Sequence, residues 1–147
     1  TCSFWYVSNP TVGTGHTFTL TAVAYTAFNV QAFTGTATSS VFDQESGDGS
    51  NQPGSITPSQ NDCLLVNAGV SDGGGTTSFT ISAGTIDASI TAFTSWKVAL
   101  AWLVQTTAAA SNPTWTDTPD GANTSAQASF KAAATASTKQ LAALGVG

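Results

Sequence analysis

The sequence predicts an all-β protein, an antiparallel β-sandwich of jelly-roll or Ig-like type with about nine short strands. Three observations point there. Thr, Val, Phe and Trp suit a pleated, half-buried surface, and they recur along the chain. Apolar and polar residues alternate with a period of two in segment after segment. Helix punctuation is scarce until the C-terminal segment, and Gly, Pro, Asn and Ser clusters mark turns at short intervals.

Taken in order, residues 2–7 (CSFWYV) read as a strand closed by Ser8, Asn9 and Pro10. After a turn at Gly13 and Gly15, residues 16–21 (HTFTLT) alternate, with Phe18 and Leu20 on one side and threonines on the other. Residues 25–34 continue the pattern through Phe28, Val30 and Ala32. Residues 35–58 read as the longest loop, rich in Gly, Ser, Pro and acids. Residues 63–70 (CLLVNAGV) read as a buried strand, followed by a glycine-rich turn. Short strands are expected at 78–81 and 86–93. Residues 96–106 form the strongest strand, apolar on both faces, with Trp96, Val98, Leu100, Trp102 and Val104 facing one way into the core. Residues 114–116 and 126–131 complete the set. Residues 1–131 thus form the β-sandwich domain, and the Ala-rich residues 132–147 form a C-terminal tail or inter-subunit arm.

Composition narrows the function. Only 7% of residues are charged, against about 25% in an average soluble domain. Thr and Ser supply more than a quarter of the chain, so hydroxyls rather than ions make the polar surface. The net charge is −5, with three lysines and no arginine. Nucleic-acid binding works by neutralising phosphates, and this chain lacks the cations for it. The apolar run from Val98 to Val104 is too short to span a bilayer, so no membrane insertion is expected. The two cysteines, Cys2 and Cys63, leave two readings open. One is a single disulfide, which would imply an oxidising compartment. The other is a pair of small buried thiols.

Three stretches, GTGHTFTLT at 13–21, PGSITPSQNDCLLV at 53–66 and ALAWLVQTTAAASNPTW at 99–115, occur together in this order. In them the chain resembles a group of uncharacterised secreted and phage-derived β-sandwich proteins. The resemblance spans most of the chain. It implies a sandwich on an exported or virion surface, and it implies further strands ahead of Cys2. It brings no catalytic residues with it.

Little in the sequence favours chemistry, and no catalytic residue and no cofactor is expected. His16 is the only histidine and opens an alternating strand, a solvent-facing position rather than a triad member. One His and two Cys fall short of a typical zinc site. Asp117 and Asp120 lie near Pro119 in a turn-like stretch and read as solvated acids, not as a glycosidase pair. Asp43, Glu45 and Asp48 are the candidate calcium ligands, because calcium takes several oxygens from acidic loops. Trp115, between Pro113 and Pro119, is the candidate for stacking on a sugar. Leu141, Leu144 and Val146 are the candidate assembly contacts of the tail.

Two function classes follow. The first is a non-enzymatic structural subunit of an extracellular assembly, either a phage virion appendage or decoration protein or a surface filament. It would bind copies of itself or other assembly subunits. The second is a glycan-binding attachment module that recognises a cell-surface glycan. A hydrolase would need acids gathered from separate loops into one cleft.

Overall fold

The computed structural model describes residues 2–11, 13–19, 28–72, 78–92, 96–118 and 123–134. Among these the chain is all-β, with two antiparallel sheets and no helix. The larger sheet contains β1 (Phe42–Asp48), β2 (Cys63–Ser71), β4 (Thr85–Ala92), β5 (Trp96–Gln105) and β7 (Asn123–Phe130). Its spatial order is β1-β7-β2-β5-β4. A second sheet pairs β3 (Ser78–Ile81) with β6 (Trp115–Thr118).

The centre of the large sheet is β2, whose residues are buried on both faces apart from a half-buried Val70. Its partners continue the alternation. Leu65, Asn67, Gly69 and Ser71 share one face with Leu103, Ala101, Ala99 and Lys97 of β5 and with Ser129, Gln127, Ser125 and Asn123 of β7. Leu64, Val66 and Ala68 share the other face with Val104, Trp102 and Leu100 and with Phe130, Ala128 and Ala126. The two faces therefore differ in chemistry. One is small and polar, and the other is apolar.

The small, polar face is covered by the second sheet and by two loops. Trp115 of β6 stacks on Phe79 of β3 with centroids 4.8 Å apart, and both pack on Ala99 and Ala101. Gly69 makes that approach possible. A Cβ built there would sit 2.7 Å from Cδ2 of Trp115 and 2.8 Å from Cζ of Phe79. Only a residue without a side chain lets the two rings lie flat on the strand. Beside them, Ile56 and Ser111 exchange backbone hydrogen bonds of 3.1 and 2.8 Å, which ties the β1–β2 loop to the β5–β6 loop.

The apolar face is crossed by the segment before β1. Phe4 and Phe33 pack against the cluster of Leu64, Val66 and Leu100. Tyr6 stacks on Phe42 and meets the edge of Phe130, at centroid distances of 5.8 and 5.4 Å. Further on, Thr36 bridges to Ala132, and Ala133 N–H donates to Gly35 O at 2.9 Å.

Both edge strands are bulged at an aspartate. β1 shifts register between Phe42 and Gln44, and β4 between Ile86 and Ala88, so Asp43 and Asp87 are the extra residues. A bulge with a charge is a common way to stop an open edge from recruiting another strand.

Several expectations need correcting. The described strands number seven and not nine. Residues 2–7, 16–19 and 28–34 alternate as strands do, yet they lie as extended chain outside either sheet. The supposed loop at 35–58 contains β1, an edge strand whose polar FDQESGD sequence hides its period. Trp96 is exposed and Trp102 only half-buried, so neither is deep core. The tail's assembly residues Leu141, Leu144 and Val146 lie outside the described residues.

The Gly69 contact makes a sharp prediction. Gly69→Ala will lower the unfolding free energy by about 1–3 kcal/mol through overpacking. Gly49→Ala, where an added Cβ meets nothing, will change it by no more than about 0.5 kcal/mol. Urea denaturation of the two variants beside the parent chain measures both.

Candidate functional site

The side chains expected to carry function are not brought together by the fold. Asp43, Glu45 and Asp48 lie along β1 rather than around a loop. After the bulge, Asp48 pairs with Ser125 and Glu45 with Ala128, which puts them on opposite faces. Among the described residues no group of three acidic, histidine or cysteine side chains gathers that could hold a metal.

Asp43 instead has a structural task. It accepts hydrogen bonds from Ser59 N at 2.9 Å, from Ser59 Oγ at 2.5 Å and from Ser129 Oγ at 3.1 Å. Next to it, Gln44 Oε1 accepts from Thr57 N at 3.1 Å. Two neighbouring side chains of β1 thus clamp the loop that leads into β2. Burial alone would raise the Asp43 pKa. The hydrogen bonds from Ser59 and Ser129, helped by the Lys131 ammonium, outweigh it and hold the carboxyl below the ordinary range.

Trp115 is not a sugar platform. It is 1% exposed and stacked under the sheet, so no ligand can reach its face. Its alternation was legible: in Trp115-Thr116-Asp117-Thr118, the tryptophan and the aspartate share the inward side. Asp117 is accordingly buried and not solvated, and it accepts a hydrogen bond from the Ser71 hydroxyl.

Cys2 and Cys63 do not form the disulfide considered above; both are free thiols. The reason is position. Cys63 pairs in register with Gln105 on the small, polar face, whereas Cys2 belongs to the segment crossing the apolar face. Burial raises the pKa of both thiols, which keeps them protonated and poorly nucleophilic. His16 is exposed in the segment before β1.

What the fold does leave in water is a set of large apolar side chains. Among the described residues, every exposed large apolar side chain lies before β1 or on the apolar face of β5. The first group includes Trp5 at 93% exposure, Val7 at 77% and Phe18 at 62%, with Tyr6, Phe28 and Val30. The second is Trp96 and Val104. The sequence placed Phe18, Phe28 and Val30 inward on strands of a closed sandwich. They face water instead: no sheet takes those segments up, and Asn29 and Gln31 are less exposed than Phe28 and Val30. Two grooves border the crossing segment. One, of about 490 Å³, runs beside Trp5, Glu45 and Gly47. The other, of about 470 Å³, lies between Phe33, Trp102 and Val104.

Comparison with protein-family models, with curated proteins and with solved structures finds no significant match.

The Asp43 clamp predicts a pH dependence of fixed sign. Its folded pKa lies below the unfolded value of about 3.9, so the clamp's stabilisation is full above that pH and lost as pH falls through the folded pKa. Asp43→Asn will cost about 1–2 kcal/mol near neutral pH, since partial exposure screens the charged hydrogen bonds. It will also flatten the acid limb of stability against pH, as followed by chemical denaturation from neutral pH downward.

Proposed function

We propose that the chain is a non-enzymatic structural subunit of an extracellular assembly, with a virion appendage, a decoration protein or a surface filament as the settings. It works by burying its apolar face against copies of itself or against other subunits. The observation that carries this reading is the confinement of exposed large apolar side chains, among the described residues, to the segments before β1 and to the apolar face of β5. Monomeric proteins rarely leave a contiguous apolar patch of any size to water, and such patches mark contact sites. The opposite face is filled by its own loops, so the domain has one finished side and one open one.

Three features support the setting. The hydroxyl-rich surface has few charges, and long-range repulsion between copies is correspondingly small. Both edges of the large sheet are blunted by bulged aspartates, which directs association to the face rather than to edge pairing. The resemblance to secreted and phage-derived sandwich proteins points to an extracellular or virion-surface location. In this reading the fold is a β-sandwich, with the β3–β6 sheet and its flanking loops as the second layer.

Sedimentation velocity from low to high micromolar concentration tests the proposal. The parent chain will shift to larger species as concentration rises. Val30→Asp, at an exposed position, will remain monomeric while its unfolding free energy stays within about 0.5 kcal/mol of the parent. A parent chain that stays monomeric throughout, or a Val30→Asp variant that associates equally well, contradicts the reading.

A further inference from the structure

The groove beside Trp5 has a different character from the rest of the apolar face. Its floor is built from Gly47 of β1 and Ala126 of β7, which face each other in register. No large side chain rises from either residue, so a trough stays open beside the next pair on that face, Glu45 and Ala128, with Phe42 and Phe130 one pair further on. Ser3 and Glu45 line it with oxygens, and Trp5 stands at its rim. The indole of Trp5 is 93% exposed. Its neighbours Phe4 and Tyr6 both pack onto the sheet and anchor the backbone on either side of it. A ring held at a fixed place with its faces in water is costly to present and gains most from a flat apolar ligand.

We propose that this groove binds a neutral saccharide. A pyranose ring has one face of C–H groups and a rim of hydroxyls. The C–H face fits the Trp5 indole, and the hydroxyls fit the Glu45 carboxylate and the Ser3 hydroxyl as acceptors and donors. The groove is half-open to water, and its volume of about 490 Å³ has room for a sugar ring. Charge selects the class. The groove's ionic group is an acid, the chain carries a net −5, and no lysine lines the groove, so uronic and sialic acids are repelled. Trp5 belongs to the apolar group proposed for self-association, but the groove does not include Val30, so the two proposals fail separately.

The experiment uses the full chain with maltohexaose, cellohexaose, xylohexaose, mannohexaose and chitohexaose as probes, and hexagalacturonate as the charged counterpart. Binding is followed by calorimetry and tryptophan emission. At least one neutral probe will bind saturably, and hexagalacturonate will not. Trp5→Ala will abolish that binding and Glu45→Gln will weaken it at least about tenfold, while Val30→Asp leaves it unchanged. Because Trp5 and Glu45 are exposed, both variants will keep the parent's thermal midpoint. No saturable binding by any neutral probe, or binding that survives Trp5→Ala, overturns the proposal. So does a Trp5→Ala variant that alters sedimentation alone, since Trp5 would then be a contact between copies. Loss of self-association with sugar binding intact would leave this site standing and remove only the assembly.

Discussion

The arrangement of the molecule hangs on the side-chain amide of Gln127. It is fully buried on β7, and its Nε2 donates to Gly54 O and, at 2.9 Å, to Ser111 O. Those carbonyls belong to the two long loops that cover one face of the sheet. Ser125 on the same strand holds Ser50 O at 2.9 Å, and Ser129 reaches Asp43 at 3.1 Å. The inward side of β7 is thus a row of polar hooks for backbone that no strand pairs. With the Ile56–Ser111 backbone pair, these side chains fasten the covering layer, and loss of one such hydrogen bond would cost about 0.5–1.5 kcal/mol. Asn67, beside Gln127 in register, and Trp115 complete the buried polar layer, although Asn67 Oδ1, Gln127 Oε1 and Trp115 Nε1 are themselves without partners.

That layer explains the asymmetry of the domain. Loops fastened by hydrogen bonds close one face and place Trp115 and Phe79 on Gly69. The other face has no such hooks. It offers Leu, Val, Ala and Phe, and the chain before β1 covers it chiefly through the aromatic rings of Phe4, Tyr6 and Phe33, with a Gln31–Asp87 hydrogen bond and the Thr36–Ala132 bridge beside them. Apolar contacts are non-directional, so this segment need not form a strand to be held. Its own outward side chains, Val7, Phe28 and Val30 among them, stay in water. The functional reading grows from this difference between a face that is finished and a face that is not.

The general class of fold was legible, because period-two alternation and turn residues survive in almost every segment. The strands with apolar residues on both sides, 63–71 and 96–105, were the clearest, since burial on two faces leaves a continuous apolar signature. What the sequence concealed has three physical causes. β1 is an edge strand with polar side chains on both sides, and FDQESGD looks like a loop. β7 reverses the usual rule, for Ser125, Gln127 and Ser129 face the covering layer and not water. Segments 2–7 and 28–34 carry the right period for strands, but alternation shows which side is apolar and not whether a neighbour pairs the backbone. The candidate site was the least legible. Trp115 lies near two prolines, yet the inward alternation of β6 decides its place, whereas period-two alternation in Phe4-Trp5-Tyr6 does set Trp5 opposite the two rings that pack.

In the proposed function, the apolar face with its crossing segment is the working surface. Hydrogen–deuterium exchange on dilute and concentrated samples of the full chain measures this directly. Amides of residues 2–7 and 28–34, which lie outside both sheets, will exchange fast when dilute and become protected when concentrated. The loops at 50–58 and 106–114 should be unchanged. Protection that appears in those loops instead, or nowhere at all, would contradict that reading.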